Sequence, residues 1–312
     1  MSSPIRLVVL GADGRLGRAV SQAAFERGHD VVAVTRSGTL RRPIEGASVR
    51  AADALDAASL RAACDGATVI FNGLNPPYTA WERDALPMAR NALAAAEATG
   101  ALHLFPGNVY SLGRAMPPVV TPDTPHRPDT RKGRIRAAME AMFDEGRERG
   151  VRTTVLRAGD FFGGPVPGSW FDLVVAARVD RAVVYPGPGD RTHAWAFVPD
   201  LARAFVMLAE RADRDLPAVL AFEGHTLTGD KLHVALERAA GRGLRRKGFP
   251  WPAIRLAGLV HPMSREIAEM AFLWRTPHRL DDTALEATIG SVPHTPLGAA
   301  LPQALADLKT MK

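Results

Sequence analysis

The chain has 312 residues, enough for one large α/β domain or for a nucleotide-binding domain with a smaller cap, and 46% hydrophobic against 23% charged residues excludes a disordered chain. A single cysteine, Cys64, excludes an internal disulfide framework and agrees with a reducing, cytoplasmic setting, and no apolar run approaches the ~20 residues that span a bilayer. The net charge of +6 is carried by arginines scattered along the chain, the densest run being Arg242 to Lys247, so a solvated basic surface is expected, with neither nucleic acid nor a membrane as partner.

Met-Ser-Ser-Pro leads directly into an apolar run, Leu7 to Leu10, that stops at Gly11. Glycines recur at Gly14 and Gly17, and a helix is predicted from Arg15 to Arg27 with Leu16, Val20, Ala23 and Ala24 on one face. Buried strand, glycine turn and helix form the context in which such glycines bind a dinucleotide: the first turns the chain, the second admits a pyrophosphate, and the third lets helix and strand pack closely. The gap between the first two glycines is one residue longer than in the usual form. Asp13, Arg15 and Leu16 complete the expected phosphate turn.

A second strand, Val31 to Thr35, ends at Thr35-Arg36-Ser37. An acidic residue at this position would accept hydrogen bonds from the ribose of NAD, whereas an arginine accommodates a 2′-phosphate. With no acid before Glu45, NADP(H) is favoured and NAD(H) left open, with Arg36, Ser37 and Arg41 on the phosphate. Further strands are predicted at Val49 to Ala51, Ala67 to Phe71, Leu102 to Phe105 and Thr153 to Leu156. They alternate with helices at Ala57 to Cys64, capped by Asp56, at Thr79 to Thr99 and at Arg131 to Arg149. This rhythm predicts a doubly wound parallel sheet, a Rossmann-type α/β fold. Its domain spans 1–157 plus 193–226, and a small, mostly helical substrate cap spans 158–192 plus 227–312.

The loop Asn72-Gly73-Leu74 leads to Tyr78 and Trp81, aromatic residues placed either for a substrate or for the core. The nine histidines are scattered without ligand spacing, so no metal is expected.

The chain resembles the extended short-chain dehydrogenase/reductase family, of the NAD-dependent epimerase/dehydratase type, and more closely its atypical members. The residues that carry the likeness are Gly11-x-x-Gly14-x-x-Gly17, Ala52-Asp53-Ala54, Gly107-Asn108-Val109-Tyr110, Leu156 to Gly163, Phe197 to Ala204 and His294 to Leu297. The resemblance implies cofactor contacts from Asp53, Ala54, Asn72, Gly73, Gly107, Asn108, Gly159 and Phe161. It places Leu74, Tyr78, Trp81, Tyr110, Phe162, Trp170 and Trp195 toward a small-molecule substrate, and leaves open a homodimer through the helices at Thr79 and Arg131. The aspartate matching Asp200 caps its helix in the family.

The chain departs from the family where its chemistry lies. The family uses a Tyr-x-x-x-Lys pair, and here Lys132 stands in the tyrosine position and Arg136 in the lysine position. Tyr110 is the only phenol near the expected site, so it becomes the candidate proton donor with Lys132 assisting; packing for Tyr110 and a ribose or surface contact for Lys132 are the alternatives. Two functions follow: an NAD(P)-dependent oxidoreductase or epimerase-like enzyme acting on a carbonyl, enone or sugar-like substrate, or a non-catalytic NADP(H) sensor.

Overall fold

The computed structural model describes residues 5–164 and 166–310; the N-terminal Met-Ser-Ser-Pro lies outside the described residues. The first half runs β1 (Arg6–Leu10), α1 (Arg15–Glu26), β2 (Asp30–Thr35), β3 (Ser48–Ala51), α2 (Ala57–Ala63), β4 (Val69–Asn72), α3 (Trp81–Thr99), β5 (Leu102–Gly107), β6 (Val119–Val120), α4 (Arg131–Glu148) and β7 (Thr153–Ala158). Strand alternation explains why these runs are apolar throughout. Leu7, Val9, Val31, Ala33, Val69, Phe71, Leu102 and Leu104 pack on one side with α1, while Val8, Leu10, Val32, Val34, Ile70 and Phe105 pack on the other with α3 and α4. Both faces of the sheet are therefore covered, as an all-parallel sheet requires.

The second half runs β8 (Asp160–Phe162), β9 (Ala182–Tyr185), β10 (Thr192–Phe197), α5 (Val198–Ala209), β11 (Val219–Phe222), β12 (His225–Thr228), α6 (Gly229–Ala240), β13 (Arg245–Gly248), α7 (Trp251–Ala257), α8 (Pro262–Glu269), β14 (Arg279–Leu280), α9 (Thr283–Ile289) and α10 (Leu297–Thr310). The seven-stranded parallel sheet has the order β11-β7-β5-β4-β1-β2-β3. After β3 the chain crosses back to lay β4 beside β1, so the strand order reverses there and a crevice opens beyond the carboxyl ends of β1 and β4.

Strand β10, expected with the nucleotide domain, instead joins β8 and β12 in a separate three-stranded sheet, whereas α5 packs on α1 and β11 completes the large sheet. The pair β9 and β13 was not expected. β13 reads Arg-Arg-Lys-Gly and is exposed along its length, so it carries no apolar alternation to betray it. No helix among the described residues is long and apolar enough to cross a membrane.

One polar residue sits at the centre of the sheet. His103 is fully buried on β5 between Phe105 and Phe143. The Asn72 amide oxygen accepts from Leu74 N at 3.3 Å, so its NH₂ donates to His103 Nε2 at 3.1 Å and Nδ1–H donates to Thr153 Oγ1 at 2.8 Å. Protonating Nε2 would set donor against donor, and burial pushes the His103 pKa down to about 3. His225 and His278 are pushed down to about 4, first by burial and then by neighbouring histidines.

A folded-state pKa below the unfolded value makes stability complete above the unfolded pKa of ~6.5 and erodes it as pH falls through that window. Each such histidine adds a slope of up to about 1.4 kcal/mol per pH unit. Urea unfolding between about pH 7 and about pH 5 should show this loss, with a shallower slope in His103→Gln; an unchanged slope would show that His103 takes no part.

Candidate active site

The glycine turn after β1 is fixed by backbone crowding. Gly11 has φ +72°, and a Cβ there would lie 2.8 Å from the carbonyl oxygen of Gly73 at the end of β4. A Cβ on Gly17 would overlap the carbonyl oxygen of Gly11, and Gly14 N donates to that same oxygen at 2.9 Å. Gly14 is the N-cap of α1 and no side chain caps this helix, so its first-turn N–H groups are left to an anion. Arg15 lines the cleft with its guanidinium joined to the cap, donating to Gly163 O at 2.6 Å and pairing with Asp172. Burial, opposed by Asp307, lowers its pKa to about 10, still cationic at neutral pH.

Beyond β2, the Thr35 hydroxyl donates to Thr39 O at 3.0 Å and Ser37 Oγ lies 2.8 Å from Thr39 Oγ1. The Asp13 carboxylate accepts from Arg41 N at 3.1 Å, tying this loop to the glycine turn. Arg36, Ser37 and Arg41 stand exposed on the rim, and Asp53, whose carboxylate accepts from Leu55 N at 3.0 Å, lines the neighbouring wall with Ala54. Gly73, Gly107, Asn108, Gly159 and Phe161 line the floor and far wall. The whole cleft measures about 1150 Å³, more than the ~300–1,000 Å³ of an ordinary ligand pocket, so it can hold a dinucleotide and a second molecule. The glycine cradle, uncapped helix and arginine rim fit NAD(P)H.

The far end is aromatic and polar. Tyr78 and Tyr110 hydroxyls lie 3.0 Å apart, Trp81 packs edge-on to Tyr78, and Leu74 and Trp170 complete the wall. Burial raises both phenols. Between them Tyr110 stands well above the ordinary value, since Tyr78 and Asp160 add to the effect and only Arg136 opposes it. Two polar residues of this end, Asp160 and His193, gave no local sequence signal as site residues, whereas Arg136 stands in the family's lysine position. Arg136 projects from α4, and the Asp160 carboxylate on β8 lies 2.8 Å from His193 Nε2 on β10. The His193 ring stacks on Trp274 with centroids 4.4 Å apart.

Lys132, expected in the site, does not line the cleft. Its ammonium is 1% exposed and paired with Glu266 and with Glu269, the latter at 2.7 Å, which fastens α4 to α8 of the cap. It also lies 5.0 Å from the centre of the Tyr78 ring. Asn72 is turned to His103 instead of the cofactor. Phe162 and Trp195 are buried against Phe171 inside the small sheet, not in the cleft. Asp200 lies in the first turn of α5 rather than at its N-cap, and holds the C-terminal loop by accepting from Thr295 N at 2.6 Å and Thr295 Oγ1 at 2.8 Å. No group of three or more metal-ligating side chains occurs among the described residues.

A doubly wound sheet with a glycine-cradled phosphate turn at its switch point defines a dinucleotide-binding protein. Residues 11–174 match the NAD(P)H-binding family model, and the chain belongs to that family. Its fold is that of the epimerase-type short-chain dehydrogenases. UDP-glucose 4-epimerase from Thermotoga maritima is similar over 98% of this chain and 99% of that one, with a TM-score of 0.76 at 17% identity. UDP-glucuronic acid 4-epimerase from Bacillus cereus, solved with NAD, is similar over 99% and 100%, with a TM-score of 0.77 at 14% identity. A partial-consensus L-threonine 3-dehydrogenase covers 98% and 99% at a TM-score of 0.77 and 20% identity. No curated protein matches the sequence.

The Lys132 cluster yields a prediction. Replacing Lys132 by Met leaves both Glu266 and Glu269 to Arg131 alone, and should cost roughly 1–3 kcal/mol, less than the ~3–5 of a fully enclosed pair. Denaturant unfolding reads the loss, and NADPH affinity measured beside it should stay within about twofold, ~0.4 kcal/mol. A collapse of affinity with stability intact would return Lys132 to the cofactor site.

Proposed function

We propose that the protein is an NADP(H)-preferring oxidoreductase that reduces a small carbonyl or enone, with Tyr110 as proton donor. The observation that carries this reading is the pair of hydroxyls at Tyr78 and Tyr110, 3.0 Å apart in the same cleft as the glycine turn. Bound there, the nicotinamide would supply hydride from its C4. The first turn of α1 would hold the pyrophosphate, and Arg36, Ser37 and Arg41 the 2′-phosphate.

Electrostatics favour the reducing direction. In the family the tyrosine acts next to a lysine that lowers its pKa. Here the nearest lysine is held by two carboxylates, and burial keeps the Tyr110 phenol protonated. A protonated phenol gives a proton to a developing alkoxide or enolate and cannot serve as a base at neutral pH. A second reading, an NADP(H) sensor without turnover, is favoured by the sequestered lysine.

Two measurements test the reading. Calorimetry with NADPH and NADH should give a preference for NADPH of about tenfold, ~1.4 kcal/mol, that disappears in Arg36→Ala. Equal binding of the two in the wild type would remove the 2′-phosphate assignment.

Across a panel of aldehydes, ketones and enones, Tyr110→Phe should lower kcat by about 10²–10³ while NADPH binding persists. The wild-type rate should stay level from about pH 6 to about pH 9, because a raised phenol remains a donor throughout. Tight NADPH binding with no turnover across the panel would support the sensor instead.

A further inference from the structure

One charged group of the cleft has no partner of its own. The Arg136 guanidinium lies between two rings, 4.9 Å from the centre of Trp81 and 5.0 Å from that of Phe105. Its Nη1 donates to Pro106 O at 3.3 Å, its Nε is buried without a partner, and no carboxylate among the described residues pairs with it. Among the described residues the fully buried cations have carboxylates, Arg15 with Asp172, Arg157 with Glu140 at 2.8 Å, and Lys132 with Glu266 and Glu269, while Arg211, half-buried like Arg136, is held by the carbonyls of Met207 and Ile289. Burial lowers the Arg136 pKa, with Tyr110, Glu140 and Tyr78 opposing the shift, yet a guanidinium stays cationic at neutral pH.

An unanswered cation in an apolar wall costs free energy until a ligand supplies the counter-charge. We propose that the far end of the cleft is a carboxylate subsite in which Arg136 pairs with an anionic group on the substrate. The proposal rests on the reductase reading and narrows its substrate to unsaturated or carbonyl-bearing acids. Arg136 lines the cleft with the two rings that flank it, and its guanidinium offers a planar carboxylate parallel N–H donors. A carboxylate that lines the same cleft limits the charge. Asp160, engaged by His193, would repel a second anionic group, so a monoanion fits better than a dianion. Both groups act on the hydroxyls of Tyr78 and Tyr110, Arg136 lowering and Asp160 raising their pKa.

Cinnamate and cinnamamide have nearly the same shape and differ in charge, so they separate the subsite from mere aromatic stacking. Calorimetry on the NADPH-saturated full chain, at fixed ionic strength, should show cinnamate binding at least about tenfold more tightly. Arg136→Met should abolish that difference, Arg136→Lys should restore part of it, and NADPH affinity should stay within about threefold in both.

The proposal is overturned if the wild type does not favour the acid or if the preference survives in Arg136→Met. It is also overturned if Arg136→Met loses NADPH about tenfold or more, which would make this arginine a cofactor contact. Should Arg136→Met fail to fold, the wild-type comparison and Arg136→Lys still decide. Failure of the wild type to bind NADPH would sink the reductase reading alone, and the acid–amide comparison on the cofactor-free chain would then decide the subsite.

Discussion

Three stretches of backbone meet at the carboxyl edge of the sheet, and the rest of the site depends on how closely they approach. Gly11 turns beneath the carbonyl of Gly73, and α1 starts against the carbonyl of Gly11 at Gly17. Side chains at Gly11 or Gly17 would force β1 away from β4 or lift α1 from the sheet. The uncapped helix start would then no longer face the crevice that the reversal of strand order opens. Dinucleotide binding is thus a consequence of local crowding, and Arg15 extends it by joining the turn to the cap through Gly163 and Asp172.

The parts of the fold legible in the sequence were those in which a residue's neighbours are close along the chain. The strands at Leu7, Val31 and Leu102 are apolar because both sheet faces are buried, and Asp56 caps α2 by accepting from Ala58 N and Ser59 N. Residues whose partners lie far away were not legible. Lys132 stands where the family has a tyrosine, and only the folded chain brings Glu266 and Glu269 to it across more than a hundred residues. Asp160 and His193 sit on strands with no periodic signal, and Phe162 and Trp195 turn inward because β8 and β10 pair with each other. Without that pairing in view, nothing separates Phe161, which lines the cleft, from Phe162, which does not.

The exchange of residues on α4 has a coherent physical result. A lysine in the tyrosine position serves the architecture, holding α4 to α8 and lying over the Tyr78 ring. The arginine in the lysine position keeps a positive charge in the cleft, but one that neither loses its proton nor pairs with a side chain. On the proposed reading, acid chemistry falls to phenols supplied by the loops after β4 and β5.

On the proposed reading, those phenols feel both a guanidinium and a carboxylate–imidazole pair of the same cleft. A proton leaving Tyr110 leaves negative charge that Arg136 stabilises and Asp160 destabilises, so the balance sets how readily the phenol gives up its proton to substrate. An anion bound at Arg136 would neutralise the stabilising side. The phenol would become a weaker acid while the substrate is being held, and proton transfer would wait until negative charge develops on the substrate oxygen itself. On the proposed reading, such a site would couple protonation to hydride arrival without a lysine, because the acceptor's own charge would supply the driving force.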